Sequence, residues 1–141
     1  MKNKFLLPAI MFLILSINSF AQNHIIGERF GGGIVFYVDS SGQHGLIADS
    51  SDQKDANWLD AISECKELRD GGFTDWRLPS LEEIELLYTQ KILFGRLSYE
   101  SFHRTSSEKD ADHAYVLAFM GDMRLSYRKS LAVSVRAVRS F

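Results

Sequence analysis

A single cysteine, Cys65, stands in 141 residues, so no disulfide can form within the chain. A small domain built this way must hold together by packing alone. Charge of neither sign dominates: 16 Lys plus Arg face 18 Asp plus Glu, a net of −2. Nothing global therefore favours nucleic acid as a partner. Internal repeats, linkers and low-complexity stretches are missing. An apolar content of 45% with 24% charged residues excludes a disordered or collagen-like chain. Signatures of catalysis are absent too, since neither a G-x-S-x-G elbow nor an H-E-x-x-H helix occurs. His44, His103 and His113 offer bases without a visible nucleophile partner, and a non-enzymatic protein is expected.

Long hydrophobic runs are also lacking, with one exception at the start. Lys2 and Lys4 precede an apolar run from Phe5 to Ile17, 13 residues in all, and Ser19-Phe20-Ala21 follows as a small-residue cleavage site. As a helix that run is ~20 Å long, short of the roughly 30 Å of a bilayer core. The expectation is an export signal over residues 1–21, cleaved before Gln22, and one domain over residues 22–141. No cysteine lies near the cleavage point, so lipid attachment there is not expected. The mature chain would carry 14 basic and 18 acidic groups, a net of −4, and work in the periplasm, at the cell surface or outside the cell.

The remaining pattern alternates strands and helices. Gly31-Gly32-Gly33 leads into Ile34-Val35-Phe36-Tyr37-Val38, which reads as a buried strand. The triple glycine precedes a strand rather than a helix, so it suits close backbone approach and not a phosphate loop. Asp39-Ser40-Ser41-Gly42 is a turn, and Gly45-Leu46-Ile47-Ala48 is the returning strand. Residues 49–55 read as a polar loop. A helix capped by Asp55 or Asn57 follows, with Trp58, Ile62, Cys65 and Leu68 on one stripe and Gly71-Gly72 as its stop. Cys65 on that stripe reads as a buried small hydrophobe. Ser80-Leu81-Glu82-Glu83 is a capping box opening a second helix, whose inner face is Ile84, Leu87 and Tyr88. Strands are then expected at 114–119, at 123–128 as its hairpin partner, and at 131–138. The fold class is α+β: two helices packed on antiparallel sheets.

Four motifs in order carry a family resemblance: Gly31-Gly32-Gly33-Ile34-Val35-Phe36-Tyr37-Val38-Asp39; Gly42-Gln43-His44-Gly45-Leu46-Ile47-Ala48; Asp75-Trp76-Arg77-Leu78-Pro79-Ser80; and Val135-Arg136-Ala137-Val138-Arg139. Residues 27–141 resemble the bacterial family once called domain of unknown function 1566, now named after the C-terminal domain of the Lcl collagen-like adhesin. The likeness is to secreted members from Bacteroidetes-type bacteria. It implies a C-type-lectin-like single domain with its N- and C-terminal strands close together. It also implies a secreted binding or adhesion module, the adhesin domain being associated with sulfated glycosaminoglycans. One departure bears on ligands: relatives often carry Trp where this chain has Arg104, within Phe102-His103-Arg104-Thr105-Ser106-Ser107-Glu108.

Candidate sites follow from residue chemistry. Arg124 and Arg128 share one face of a strand by its period of two, Lys129 adjoins them, and Arg104 is placed nearby as a fourth cation. Guanidinium groups grip sulfate or carboxylate with paired hydrogen bonds, so these four form a candidate anionic-ligand patch. The alternative is a solvated edge strand protected by charge. Asp75, Trp76, Arg77 and Pro79 read as a structural motif, with Trp76 in the core and Arg77 on a carboxylate or a carbonyl, against the alternative of a sugar-stacking platform. No cofactor or metal is expected. Calcium through Asp49, Ser50, Ser51, Asp52 and Asp55, or a transition metal on Asp110, Asp112 and His113, are lesser options. The function expected is an exported binding or adhesion module with anionic glycans as a candidate ligand. A structural or protein-interaction subunit of the cell envelope, with oligomerisation open, is the alternative.

Overall fold

The computed structural model describes residues 22–94 and 101–141; the expected export signal lies outside them. Among the described residues, nine strands and two α-helices form an α+β domain of two sheets. The first sheet joins β1 (Arg29–Phe30), β2 (Gly33–Val38), β3 (Gly45–Ala48) and β9 (Val138–Ser140) in that order, all antiparallel. The second runs β4 (Gln53–Ala56), β8 (Val133–Val135), β5 (Phe102–Glu108), β6 (His113–Ala118) and β7 (Met123–Arg128). Its strands are antiparallel except for the β5–β8 pair.

Both faces of β2 are buried, which explains its unbroken apolar run. Ile34 and Phe36 join Leu81, Ile84 and Leu87 of α2 (Leu81–Thr89), with Leu117, Phe119 and Val138, in one core. Val35 points the other way, to a second core of Ile47, Trp76, Leu78, Val135 and Ala137 with Ala61 and Cys65 of α1 (Trp58–Glu67). The Asn57 side chain caps α1 by accepting from the Asp60 amide at 3.0 Å. Ser80 and Glu83 form the expected capping box on α2. The chain's two described ends meet where His24, Phe30 and Phe141 stack, His24 and Phe141 with centroids 4.8 Å apart.

The glycines act by proximity. A Cβ on Gly32, which sits at φ +88, would lie 2.6 Å from the Asp70 carbonyl oxygen, and one on Gly33 would strike the Ala48 carbonyl. Gly71, at φ +66, packs against Gly32. The glycine pair is therefore not the stop of α1, which ends at Glu67 with Leu68 already extended. It lets the 70–72 turn touch the start of β2.

Three further elements differ from the sequence pattern. Residues 53–56 form edge strand β4, whose exposed Lys54 and Asp55 made it look like loop. Strand β5 has no apolar pattern, yet it lies centrally between β8 and β6 with His103, Arg104 and Thr105 buried. The run expected as one strand over 131–138 is broken at Arg136, so β8 and β9 fall in different sheets and tie them together.

Candidate functional site

Two cavities among the described residues surround the bend after β7, at residues 128–131. Its backbone is held from three sides. Lys129 donates its amide to the Asp112 carbonyl at 2.8 Å, the Trp58 amide donates to the Lys129 carbonyl at 2.8 Å, and the Leu131 amide donates to the Arg128 carbonyl at 3.1 Å. Two adjoining cavities of about 390 and 480 Å³ share Ala111, Lys129 and Ser130. Asp112, His113 and Arg128 complete the first; Asn57, Trp58 and Leu59 complete the second. Trp58 stands here because it opens α1 directly after the cap, and its indole N–H is fixed by the Thr105 carbonyl at 3.0 Å.

Charge in this groove is almost balanced. Lys129 Nζ donates to Glu108 at 2.6 Å and to the Ala111 carbonyl at 2.8 Å, and lies 4.5 Å from the centre of the Trp58 ring. Asp110 accepts from the amides of Asp112 and His113 and from the His113 ring at 2.9 Å. The ring's hydrogen bond, with those of the amides, holds the Asp110 carboxyl below its usual range. Arg128 is exposed and has no carboxylate partner among the described residues.

The four-cation patch does not exist as expected. Arg124 and Arg128 do share a face of β7, through their pairings with Leu117 and His113. Arg124, however, reaches Glu85 of α2 at 2.9 Å, its side chain still 65% exposed. Arg104 pairs opposite Val116, on the other face of the sheet, and is 0% exposed. Only its Nη2 has partners, the carbonyls of Leu131 and Arg128, so it pins the 128–131 bend from beneath. Nε and Nη1 are buried without a hydrogen bond, and burial lowers the guanidinium's proton affinity. A cation in that position is not a surface contact for a ligand.

The Asp75–Pro79 motif is structural throughout. Trp76 is 1% exposed and donates to the Asp70 carbonyl at 3.1 Å. Arg77 grips Glu83 with two bonds of 2.6 and 2.7 Å, joining the motif to the α2 capping box. Asp75 accepts from Arg139 at 2.8 Å, and the Arg139 guanidinium lies 3.7 Å from the Phe73 ring centre. The Pro79 carbonyl accepts from the Ser106 amide at 2.8 Å.

A buried polar centre was not legible beforehand. Asp52 accepts from Arg136 Nε at 2.7 Å and meets the His103 ring at 3.3 Å; Ser101 lies 3.4 Å from the other ring nitrogen. Burial alone would raise the Asp52 carboxyl, but His103 and Arg136 outweigh it and hold it below the usual range. Asp49, beside it, is raised, chiefly by burial, and accepts from Gln53 at 2.6 Å. His103 is wholly covered and stacks on Phe119, centroids 4.2 Å apart. The arrangement orders a Ser–His–Asp–Arg chain whose evident result is to neutralise Arg136 at the junction of β8 and β9. The one available signal was a polar run, Phe102–Glu108, with no Gly, Pro, Asn or Asp in it.

Of the calcium set, Asp49 and Asp52 are thus engaged by side-chain donors, and Asp55 accepts from Ser134 at 3.0 Å. Among the described residues no three His, Cys, Asp or Glu side chains converge as metal ligands, the Asp110–His113 turn included. No described helix is long and apolar enough to cross a membrane. No protein-family model matches the chain, and no curated protein matches it.

Proposed function

We propose that the protein is an exported, non-catalytic binding module of C-type-lectin-like fold, whose groove beside the 128–131 bend takes a saccharide bearing isolated acidic groups. One observation carries this reading: Trp58, one ring face of which is covered by Lys129, lines one of two adjoining cavities, and the other holds Arg128, an exposed cation without a carboxylate partner among the described residues. Indole faces stack on sugar rings, while Asn57, Ser130 and His113 supply donors and acceptors for hydroxyl groups. The motif resemblance to the Lcl C-terminal family supports a glycan as ligand, though its association is with sulfated chains.

The charge balance refines the ligand. Arg124 and Lys129 each already face a carboxylate, so densely sulfated chains gain little from this surface. A single carboxylate or sulfate on Arg128 fits better. Salt should then weaken binding only mildly, because one exposed pair is screened rather than a whole patch.

The test is a comparison of neutral, uronic-acid and sulfated oligosaccharides at low and high salt. Arg128→Ala should weaken binding about ten- to hundredfold, the loss of a charged hydrogen bond of roughly 1.5–3 kcal/mol. Arg124→Ala should leave it unchanged. Failure of the parent to bind any of these sugars, or equal binding by Arg128→Ala, rejects the reading.

A further inference from the structure

We propose that His113 is the second residue to hold the ligand's acidic group: its protonated Nε2 donates beside the Arg128 guanidinium, so an acidic saccharide takes up a proton as it binds. The inference rests on the groove reading above and names the chemistry of that same site. His113 opens β6 and pairs directly with Arg128 on β7, so the two side chains leave the same face of the sheet. Directly opposed residues have Cβ atoms about 4.5–5.5 Å apart, a gap that one carboxylate or sulfate group can span. Both residues line the cavity of about 390 Å³. Arg128 is exposed, and the His113 side chain is 35% exposed.

Asp110 fixes which ring nitrogen is open. Its Oδ1 accepts from the Asp112 amide at 2.9 Å and from the His113 amide at 2.8 Å, and it meets the His113 Nδ1 at 2.9 Å. A carboxylate oxygen that already accepts two amides can only accept from the ring as well, so Nδ1 carries a hydrogen. Nε2 is left without a partner among the described residues. In the neutral ring it is an acceptor, which an acid oxygen avoids; protonated, it donates. The backbone here is set in advance, since the amides of Lys109 and Asp110 both donate to the His113 carbonyl, at 3.0 and 3.2 Å. Little ordering is then required on binding.

Charge decides when the grip works. Around His113 stand Asp110 and Asp112 of its own turn, Glu108 at the end of β5, Arg128 opposite, and Lys129 on the bend. Lys109 reaches across from the turn, its Nζ donating to the Ser126 hydroxyl of β7 at 3.2 Å. Three carboxylates thus meet three cations, and a proton on His113 gives the site its positive excess. Two cations directly opposite each other are unfavourable with nothing between them; a bound acid removes that conflict. Ligand and proton therefore favour one another, each by the same factor. Among the residues lining the two cavities, His113 alone belongs to the type that ordinarily changes charge between about pH 5 and 8.

Calorimetric titration with a uronic-acid oligosaccharide and with a neutral one, from about pH 5.5 to 8.5, tests it. The uronic acid stays ionised across that range. Affinity for the acidic sugar should fall about tenfold as pH rises, and proton uptake should appear as a binding heat that changes with the buffer. Affinity for the neutral sugar should stay constant. His113→Asn keeps an N–H for Asp110 but removes Nε2, and should bind the acidic sugar weakly at every pH. His113→Lys supplies a permanent cation and should hold it at nearly the low-pH strength throughout. If the parent binds the acidic sugar equally at all pH values, the inference is overturned while the groove reading stands. The same follows from a pH dependence that the neutral sugar shares, or that persists in either variant. A parent that binds no sugar rejects both.

Discussion

Replacing Trp76 with alanine removes the largest fully buried side chain of the domain. A tryptophan of this kind withdraws up to ~250 Å² from water. At about 25 cal/mol per Å² that is roughly 6 kcal/mol, and a realistic unfolded chain lowers it by ~10–40%. Alanine recovers a little of the area, while the Asp70 carbonyl loses the indole N–H at 3.1 Å, costing about 1 kcal/mol. The net loss should be about 3–5 kcal/mol, in line with large aromatic truncations elsewhere. Calorimetry should then show the melting temperature falling by roughly 12–20 °C at ~4 °C per kcal/mol. The neighbours are packed on every side by Val35, Ile47, Ala61, Cys65, Leu78, Val135 and Ala137, so little collapse into the cavity is available. If alanine abolishes folding, Trp76→Phe should still fold with a smaller loss. A melting temperature within a few degrees of the parent would refute the placement of Trp76 and revive the sugar-platform alternative.

Two other outcomes are expected. Burial pushes the Cys65 thiol up to about 12, so thiol reagents should label it only on unfolding; rapid labelling of the native protein would contradict its place in the core. Acid should destabilise the domain through Asp52: its carboxyl is held low in the folded state, so its contribution is complete above the ordinary carboxylate range and is lost as pH falls through the folded value. Asp52→Asn should cost about 3 kcal/mol near neutral pH, because Arg136 is left buried and uncompensated, and that gap should close below pH ~4. A constant gap across the whole acid range would assign the loss to packing instead of charge.

The sequence pattern located elements wherever an apolar run or explicit local chemistry marked them. β2, β3 and β7 were recognisable from apolar runs and a turn, and α2 from Ser80 and Glu83, since a capping box needs only four consecutive residues. A structural role for Arg77 was also legible, though not which of a carboxylate or a carbonyl it would meet; the structure gives Glu83. Central strand β5 was not legible. Its buried residues are His103, Arg104 and Thr105, whose partners lie on β6, β8, the 128–131 bend and Asp52, all distant in sequence.

For this protein the chain's order of residues was enough to determine the α+β class, the start of α2, the buried cysteine and the buried Trp76, each of which depends on periodicity or on neighbours a few positions apart. Tertiary structure decided the rest. It set Arg104 beneath the sheet instead of on it, and matched Arg124 to Glu85 and Lys129 to Glu108. It also split the last strand between two sheets at Arg136 and left β7 as an open edge. The physical reason is that a charge acquires its meaning from what faces it. Those facing groups are brought in by strand pairing across 20 to 85 residues of chain, for example Lys129 to Glu108 over 21 and Arg136 to Asp52 over 84, a range over which no local pattern carries information.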